Sequence, residues 1–374
     1  GTLGVCIPAV AVRPSAAKSR PCRRAMRRLA APLLGLAAAA ATTGRTHAAH
    51  DVSSLLQHPV VGLPDRPSEE QARHLEHGEV LKLRAAMERL RARGTRSAAL
   101  AAFSADVLTL ANNFACSWLA SAGVASGLVL AALDGRCEGL SGSLAAAGVD
   151  CVAVSPKAGP PADAEPVRFK SARYFYMTRM KLVVFSVWMD LAVAQRAFDW
   201  ILLSDVDVVV HRDPFQYLGE RYPHAQEAPG APLMLCAPNS PSCPLRRGES
   251  KVNSGFCFHR VVPGAGRLLR EALALLVAGN SSDGADQGAL RAALRAGTGR
   301  ETTPEGAMLP CSLFPTGRWL RGSAEPREEP VAVHANYLAT RQKEPCLRAA
   351  GRWFVADGPG AECRAPLPGR PGAA

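Results

Sequence analysis

The amino-acid sequence predicts an α/β protein in which helices flank a mostly parallel β-sheet. Strand-like apolar runs alternate with helical segments through the middle of the chain, which is the pattern of consecutive βαβ units. The clearest strand, Trp200–Leu203, is apolar throughout and lies between polar residues, as a central strand buried on both faces does. The chain of 374 residues has a hydrophobic content of 48%, which supports one large domain or two smaller ones with a sizeable core.

The elements that lead to this strand are predicted as three strands and three helices. In chain order they are a strand over 106–112, a helix over 114–122, a strand over 127–134, a helix over 137–147, a strand over 150–154 and a long helix over 169–196. Beyond residue 207 the pattern is less regular. It predicts strands over 232–236, 254–258 and 331–334, and helices over 265–278, 286–296 and 343–350.

Composition divides the chain into four regions. Residues 1–50 form a basic and apolar leader, 51–104 a linker and an exposed helical stem, 105–355 the α/β domain, and 356–374 a disordered tail rich in Pro and Gly. The formal net charge is +12, and the leader contributes eight Lys and Arg residues without any Asp or Glu. The remainder therefore carries 12 − 8 = +4. Because no basic, aromatic-interleaved motif is present either, a nucleic-acid partner is not expected.

The leader is predicted to direct the chain to a membrane or an organelle. A basic cluster, Arg20–Arg28, precedes an apolar run over 29–41, which is shorter than the roughly 20 residues of a spanning helix. A cleaved signal peptide, a short signal anchor in the membrane and an organellar transit peptide, as for a plastid, all remain open. The secretory pathway is the favoured interpretation.

The 11 cysteines contain no CxxC pair, which argues against a zinc ribbon. Cys236 with Cys243, and Cys346 with Cys363, flank loop-like stretches and would suit disulfides in an oxidising lumen. The alternative is that several cysteines are small buried apolar residues. Asn280-Ser281-Ser282 is a glycosylation acceptor pattern, which has meaning only if the chain enters that lumen.

The strongest candidate for a functional site is the pair Asp205 and Asp207 at the end of the apolar strand. Carboxylates two residues apart on an extended chain point the same way, and they repel each other unless a cation lies between them. Hard divalent cations take carboxylate oxygens together with phosphate oxygens, and open α/β sheets bind ligands at the carboxyl ends of their strands. The pair therefore predicts a metal and phosphate site, with a solvated turn as the weaker alternative.

His334 is a candidate third metal ligand, because it ends a predicted strand in the C-terminal half of the chain and neutral imidazole suits Mn²⁺. A lone histidine is more often structural. Lys343 lies nine residues later and would meet a diphosphate as a point charge, although a surface helix lysine is the simpler interpretation.

Two further patterns suit sugar hydroxyls. Asn253 offers donors and acceptors beside Gly255, which permits close approach of the backbone, and an Asx turn before a strand is the equal alternative. Asp286-Gln287 begins a predicted helix, where an aspartate is first of all a cap.

Arg179 and Lys181 are basic residues on the long helix that precedes Asp205. They would face the phosphates of a nucleotide, and the equal alternative is that both are solvated.

Taken in order, these pieces resemble the nucleotide-diphospho-sugar transferase family of plants and algae, which includes arabinosyl-, xylosyl- and galactosyltransferases of extensins and pectin. Four stretches of this sequence carry the resemblance, over roughly residues 105–355. They are Thr109-Leu110-Ala111-Asn112 with Ala132-Leu133-Asp134, Leu202-Leu203-Ser204-Asp205-Val206-Asp207-Val208-Val209 with Arg212-Asp213-Pro214, Asn253-Ser254-Gly255-Phe256 with Asp286-Gln287, and His334-Ala335-Asn336-Tyr337-Leu338 with Lys343 and Leu347-Arg348.

The resemblance implies a GT-A type, Rossmann-like sheet and a retaining transfer of a hexose or pentose from a nucleotide-sugar donor, expected to be UDP-linked, to a glycan or glycoprotein of the cell wall. It implies Mn²⁺ or Mg²⁺ as cofactor and a type II membrane protein of the Golgi. Asp205, Asp207 and His334 carry over as metal ligands. The catalytic candidates are Asp205, Asp207, Asp286 and Gln287. The candidates for binding the donor are Asn112, Asp134, Arg179, Lys181, Asp205, Asn253 and Lys343.

Two other functions remain open from the residues. A non-catalytic carbohydrate-binding relative would keep the fold without turnover, although Asp205, Asp207 and His334 are all present. Another Mg²⁺- or Mn²⁺-dependent phosphoryl-transfer enzyme would use the same acids, but it would favour a Gly-rich phosphate loop, and no GxxxxGK[ST] pattern occurs.

Overall fold

The computed structural model describes residues 71, 74–123, 127–155, 157, 170–223, 233–239, 252–281, 283–298, 308–317, 319–321, 328–357 and 362–364. The leader, the linker up to residue 70 and Cys243 lie outside these residues, as does Ser282 of the glycosylation pattern.

Helices and strands alternate through most of the described chain. The helices are α1 (His77–Ala92), α2 (Leu108–Ala122), α3 (Gly142–Ala146), α4 (Ala172–Gln195), α5 (Pro214–Arg221), α6 (Pro263–Val277), α7 (Asp286–Thr298) and α8 (Thr340–Ala349). The strands are β1 (Ser97–Phe103), β2 (Leu128–Ala132), β3 (Asp150–Ala153), β4 (Trp200–Asp205), β5 (Val208–Val210), β6 (Met234–Pro238), β7 (Val252–Arg260) and β8 (Ala332–His334). Short 3-10 turns cover Ala105–Val107 and Trp319–Arg321.

Six strands form one twisted sheet in the order β3-β2-β1-β4-β7-β6. The first four are parallel, whereas β7 runs antiparallel to both β4 and β6. Five of the six strands therefore end at the same edge. The predicted α/β class, with a mostly parallel sheet flanked by helices, is confirmed.

The sheet separates two apolar cores. One core packs α1, α4, α6 and α7 against one face. The other packs α2, α5 and α8 with a second, two-stranded sheet of β5 and β8. The first five residues of β4 are buried between the two cores. Four of them are apolar, and the hydroxyl of Ser204 donates a hydrogen bond to the backbone oxygen of Asp205.

The chain passes from one sheet to the other between β4 and β5. Only Val206 and Asp207 separate the two strands. β5 pairs antiparallel with β8, and in this register Val208 lies opposite His334. The register brings a histidine from the end of the domain to the carboxyl end of the central strand.

The predicted strand over 106–112 is wrong, because those residues form the 3-10 turn and the start of α2. The true first strand is β1, Ser97–Phe103, which is central in the sheet and begins before residue 105. Alanines make up four of its seven residues. Alanine favours helices over strands, so the propensity of this segment hides its place in the sheet.

The segment predicted as an exposed stem is also placed differently, since α1 packs against α4 and β3. Val80, Leu83, Met87 and Leu90 recur at helical spacing and are buried in the first core. The charged residues on the opposite face of the helix mask this stripe in the sequence. Among the helices of the described chain, none has both the length and the apolar character that a membrane crossing requires.

The disulfides differ from the pairs that loop spacing suggests. Cys236 bonds to Cys257 on the neighbouring strand, and Cys363 bonds to Cys116 of α2. Cys137 bonds to Cys151. Cys346, the predicted partner of Cys363, is in a disulfide of its own. The part of the predicted tail at 362–364 is therefore cross-linked to α2, and residues 365–374 lie outside the described chain.

Candidate active site

The site is built where β4 gives way to β5. Asp205 ends β4 and is partly exposed, whereas Asp207 precedes β5 and is only 8% exposed. This is the carboxyl edge of the parallel strands, where ligands bind in open α/β sheets.

Asp205, Asp207 and His334 form a group in which one ligand atom from each lies within 4.8 Å of the others. His334 Nε2 lies 3.1 Å from Asp207 Oδ1 and 3.7 Å from Asp205 Oδ2. The pairing of β5 with β8 holds the imidazole against the two carboxylates. The three predicted metal ligands are thus brought together.

Gly255 of β7 makes this approach possible. A Cβ atom at this position would lie 2.3 Å from Asp205 Oδ2 and 2.3 Å from His334 Cε1. Any side chain here would displace the carboxylate and the imidazole, so Gly255 is required by the close approach of the backbone to both groups.

Asn253 orients the imidazole. Its Oδ1 accepts a hydrogen bond from Gly255 N at 3.0 Å, and its Nδ2 lies 2.9 Å from His334 Nδ1. With Oδ1 used as the acceptor, the amide donates to Nδ1, so the proton of a neutral ring lies on Nε2 and is donated to Asp207 Oδ1 in this arrangement. Ligation of a cation through Nε2 would place this proton on Nδ1, with the amide of Asn253 turned so that its oxygen accepts it. Asn253 is 3% exposed and therefore contacts a metal-ligating candidate rather than lying open to a sugar.

We expect Asn253→Ala to weaken Mn²⁺ binding by about 10- to 100-fold, since groups that orient a metal-ligating histidine contribute this much. Isothermal titration with Mn²⁺ measures the change. The matched control is Asn113→Ala, which removes another buried asparagine whose two hydrogen bonds go to Arg352 O and Phe354 N. The idea fails if both variants bind Mn²⁺ as the wild type does.

Lys181 of α4 lies between two carboxylates. Its Nζ is 2.7 Å from Asp205 Oδ1 and 2.6 Å from Asp286 Oδ2. Burial disfavours the charged ammonium, but the two carboxylates outweigh this effect and raise the pKa of Lys181. Lys181 therefore stays protonated at neutral pH, and its ammonium links the Asp-x-Asp pair to α7.

Asp286 is available for this ion pair because another residue caps α7. Asp283 Oδ1 accepts hydrogen bonds from the backbone N–H groups of Ala285 and Gly288. Gly288 leaves the space, since a Cβ there would lie 2.1 Å from the same oxygen. Asp286, which could have been a cap, is instead buried against Lys181.

Lys343 of α8 lies on the other side of the group, with its Nζ 2.7 Å from Asp207 Oδ2. Burial would raise the pKa of Asp207, but the Lys343 ammonium and the His334 ring hold this pKa well below its usual range. Among the ion-paired side chains, Asp205, Asp207 and Asp286 carry −3, and Lys181 and Lys343 carry +2, which leaves −1.

Four other residues predicted for the site are Asp134, Asn112, Gln287 and Arg179. Asp134 follows β2, and its Oδ2 accepts from Ala105 N at 2.7 Å, while its Oδ1 is buried without a hydrogen-bond partner in the described chain. Asn112 uses both ends of its amide on the loop at Gly139 and Ser141, which makes it a support of that loop.

Gln287 follows Asp286 in α7 and is half-buried. Arg179 lies in electrostatic range of Tyr176. It precedes Lys181 by two positions, so the two side chains leave α4 about 200° apart. The structure brings Lys181 to the Asp-x-Asp pair by this helix geometry, and it does not bring Arg179 there.

Tyr174 is a residue of the site that the sequence patterns missed. Burial, followed by the charge of Asp286, raises the pKa of its hydroxyl to about 12. Tyr174 precedes Lys181 by seven positions on α4, which places both on one helix face. This spacing is the signal that would have found it.

The residues fit a hard divalent cation. Two carboxylates and one neutral imidazole suit Mn²⁺, and to a lesser extent Mg²⁺. The donor atoms already converge, Gly255 keeps one side clear of any side chain, and the surrounding charge is slightly negative.

The comparison with protein families identifies the class. A family profile described as nucleotide-diphospho-sugar transferase matches residues 124–346, more than half of the chain. The protein belongs to this family. The predicted family is confirmed, and so is the predicted α/β fold with a mostly parallel sheet flanked by helices.

No curated protein matches this chain. Solved structures of low identity are similar. The apo form of the glycosyltransferase GlyE of Streptococcus pneumoniae TIGR4 is 14% identical with a TM-score of 0.41, and the match covers 68% of this chain and 60% of GlyE. The apo structure of the bifunctional glycosyltransferase WbbM is 12% identical with a TM-score of 0.41, and the match covers 69% of this chain and 52% of WbbM. This chain thus spans less than two thirds of either.

Proposed function

We propose that this protein transfers a sugar from a UDP-linked donor to a glycan or glycoprotein acceptor, with Mn²⁺ or Mg²⁺ as cofactor and with retention of configuration. The observation that carries the proposal is the Asp205-Asp207-His334 group, flanked by two lysines at the carboxyl edge of the sheet. Family membership supplies the nucleotide-sugar chemistry.

Asp205, Asp207 and His334 would hold the cation. When bound, it supplies Lewis-acid stabilisation of the leaving diphosphate. Lys343 is positioned to add a point charge to the same diphosphate, because its ammonium lies against Asp207 and is only partly buried. Its pairing with Asp207 holds the ammonium at the site before a donor arrives.

The donor sugar is expected on the Lys181 side of the site. Asp286 accepts and Lys181 donates hydrogen bonds, and Tyr174 and Gln287 add neutral polar groups close by. These groups can orient the hydroxyls of a sugar. The carboxylate of Asp286 is not a free nucleophile, because it is held in a buried ion pair.

The nucleoside is expected near β1 and β2. The unpartnered Oδ1 of Asp134 offers a buried acceptor there. A cavity of about 330 Å³ lies between the start of α2, near Asp106, and α8, near Arg348. This volume falls within the range of small-ligand sites, and α8 also carries Lys343.

Retention is proposed to follow a front-face course. Asp205, Asp207 and Asp286 are all engaged in ion pairs, so the site presents none of them as an unpaired nucleophile for a double displacement. The leaving diphosphate would then take the proton of the acceptor hydroxyl as the new bond forms.

We propose the secretory pathway, with the Golgi lumen as the compartment and with a type II membrane attachment through the leader. The disulfides Cys116–Cys363, Cys137–Cys151 and Cys236–Cys257 support an oxidising compartment, because such bonds are rare in the cytosol. A cell-wall glycan or glycoprotein is the proposed acceptor class.

The test is a UDP-release assay on the full chain with UDP-galactose, UDP-xylose and UDP-arabinofuranose, each with Mn²⁺, Mg²⁺ or EDTA. We expect cation-dependent release with one donor, because transferases hydrolyse their donor slowly in the absence of an acceptor. A folded protein that binds UDP without releasing it from any donor would instead be a non-catalytic relative. A folded protein that neither releases nor binds UDP in a Mn²⁺-dependent way would refute the metal site.

A further inference from the structure

We propose that Tyr337 is the platform that holds the sugar ring of the acceptor. This inference rests on the proposed transferase function and goes beyond it, because it assigns the acceptor to one side chain. Tyr337 follows His334 by three positions, in the turn between β8 and α8.

Tyr337 combines an exposed ring with an unfavourable backbone. Its side chain is 41% exposed, which makes it one of only three large apolar or aromatic residues that are exposed in the described chain. Its φ angle is +60°, in the left-handed region that large side chains rarely adopt. A backbone conformation of this kind persists only where the surrounding structure enforces it.

The surrounding structure does enforce this conformation. Ala335 N donates to the backbone oxygen of Asp207 at 2.7 Å, and Asn336 Oδ1 accepts from Gly317 N at 3.2 Å. A Cβ at Gly317 would lie 2.0 Å from the carbonyl oxygen of Asn336, so the two backbones are in close contact. Leu338 on the other side is buried in the second core. The turn is thus fixed at both ends, with Tyr337 at its exposed tip.

The ring lies over the carboxyl edge of the sheet. Its hydroxyl donates to Asn239 Oδ1 at 2.7 Å, and Asn239 directly follows β6. Since β6 runs parallel to β4, this end of β6 lies at the same edge as Asp205. Tyr337 therefore reaches from the metal-ligating strand β8 along the edge where the donor is expected.

The ring also lies near helix α7, which carries Asp286. Arg291, five positions after Asp286 on α7, donates to Val252 O at 3.0 Å, and Val252 pairs with Pro238, the residue before Asn239. An acceptor must approach the sugar that the Asp286–Lys181 pair would hold, so a residue on this side of the site is positioned to receive it. A tyrosine with a fixed hydroxyl offers a rigid, amphipathic face, which suits the apolar face of a pyranose or furanose ring.

The experiment compares UDP release without and with an acceptor probe, namely a panel of methyl glycosides (galactoside, arabinoside, xyloside and glucoside) at high concentration. Tyr337→Asn removes the ring and relieves the strain, because asparagine tolerates a positive φ. Tyr337→Phe keeps the ring but loses the bond to Asn239. Leu81→Gln on α1, which alters another exposed apolar side chain, is the control.

The measured quantity is the rate of UDP release with the acceptor divided by the rate without it. We expect Tyr337→Asn to lower this ratio about tenfold or more, because the KM for the acceptor rises. Loss of an aromatic contact at the centre of a binding site has an effect of this size. Tyr337→Phe should retain most of the stimulation, and Leu81→Gln all of it. Melting temperature should not fall in Tyr337→Asn, which separates loss of the acceptor from loss of the fold.

The inference is overturned if Tyr337→Asn responds to the methyl glycosides as the wild type does. It is equally overturned if no methyl glycoside changes release by the wild type. Absence of cation-dependent release in the wild type is a different result, visible before any acceptor is added, and it would refute the transferase function itself.

Discussion

Asp207→Asn should reduce cation-dependent UDP release by at least about 1000-fold. A metal ion contributes several kcal/mol of transition-state stabilisation, and each 1.36 kcal/mol corresponds to about a factor of ten. The variant removes the carboxylate that contacts both His334 and Lys343. Steady-state release of UDP measures the loss.

The same variant should stay folded, because Asp205 and Asp286 then balance Lys181 and Lys343 in charge. Mn²⁺ at about 100 times its dissociation constant should stabilise the wild type by about 2.7 kcal/mol and the variant by far less. The control is Asp199→Asn, which removes a carboxylate before the other end of β4 that pairs with the exposed Arg96. If Mn²⁺ stabilises Asp207→Asn as strongly as this control, Asp207 is not a ligand.

Lys181→Met should lower the free energy of unfolding by roughly 3 kcal/mol, since removal of one partner from a buried ion pair leaves uncompensated charge. Here the carboxylates of Asp205 and Asp286 would face each other without the ammonium between them. Because the pKa of Lys181 is raised in the fold, this stabilisation is fully present below the usual lysine pKa of 10.5 and is lost only as the pH rises above it. Urea unfolding at about pH 7 measures the change.

A double variant, Lys181→Met with Asp286→Asn, should recover part of this stability, because only one carboxylate then remains unpaired. Lys157→Met is the matched control, since Lys157 pairs with the exposed Glu76 at 3.7 Å and should contribute less than about 1 kcal/mol. Equal destabilisation by Lys181→Met and Lys157→Met would contradict the structural role of Lys181.

Several features of the site could be predicted from the sequence because they depend on local pattern. The apolar run before Asp205 and the acids at its end define β4 and the carboxyl edge without any tertiary information. The helical positions of Lys181 and Asp286 could also be predicted, since both lie in periodic segments.

Other features depend on contacts between distant segments and could not be predicted. The alanines of β1 have no strand propensity, and only the pairing with β2 and β4 makes them a strand. Asp286 is an ion-pair partner rather than a cap because Lys181 of the distant helix α4 lies against it. Asn253 could be predicted as a polar residue near the site, but its contact with His334 required the fold.

The ligand group joins two sheets and two distant parts of the chain, with Asp207 and His334 separated by 127 positions. During synthesis, the two acids therefore emerge long before the imidazole and Lys343. A ribosome-bound chain that has folded β1 to β4 still lacks half of the group, and it gains the rest only when β8 docks on β5. The candidate metal site is thus completed last in assembly, and a polypeptide that stalls or is cut before β8 lacks its histidine.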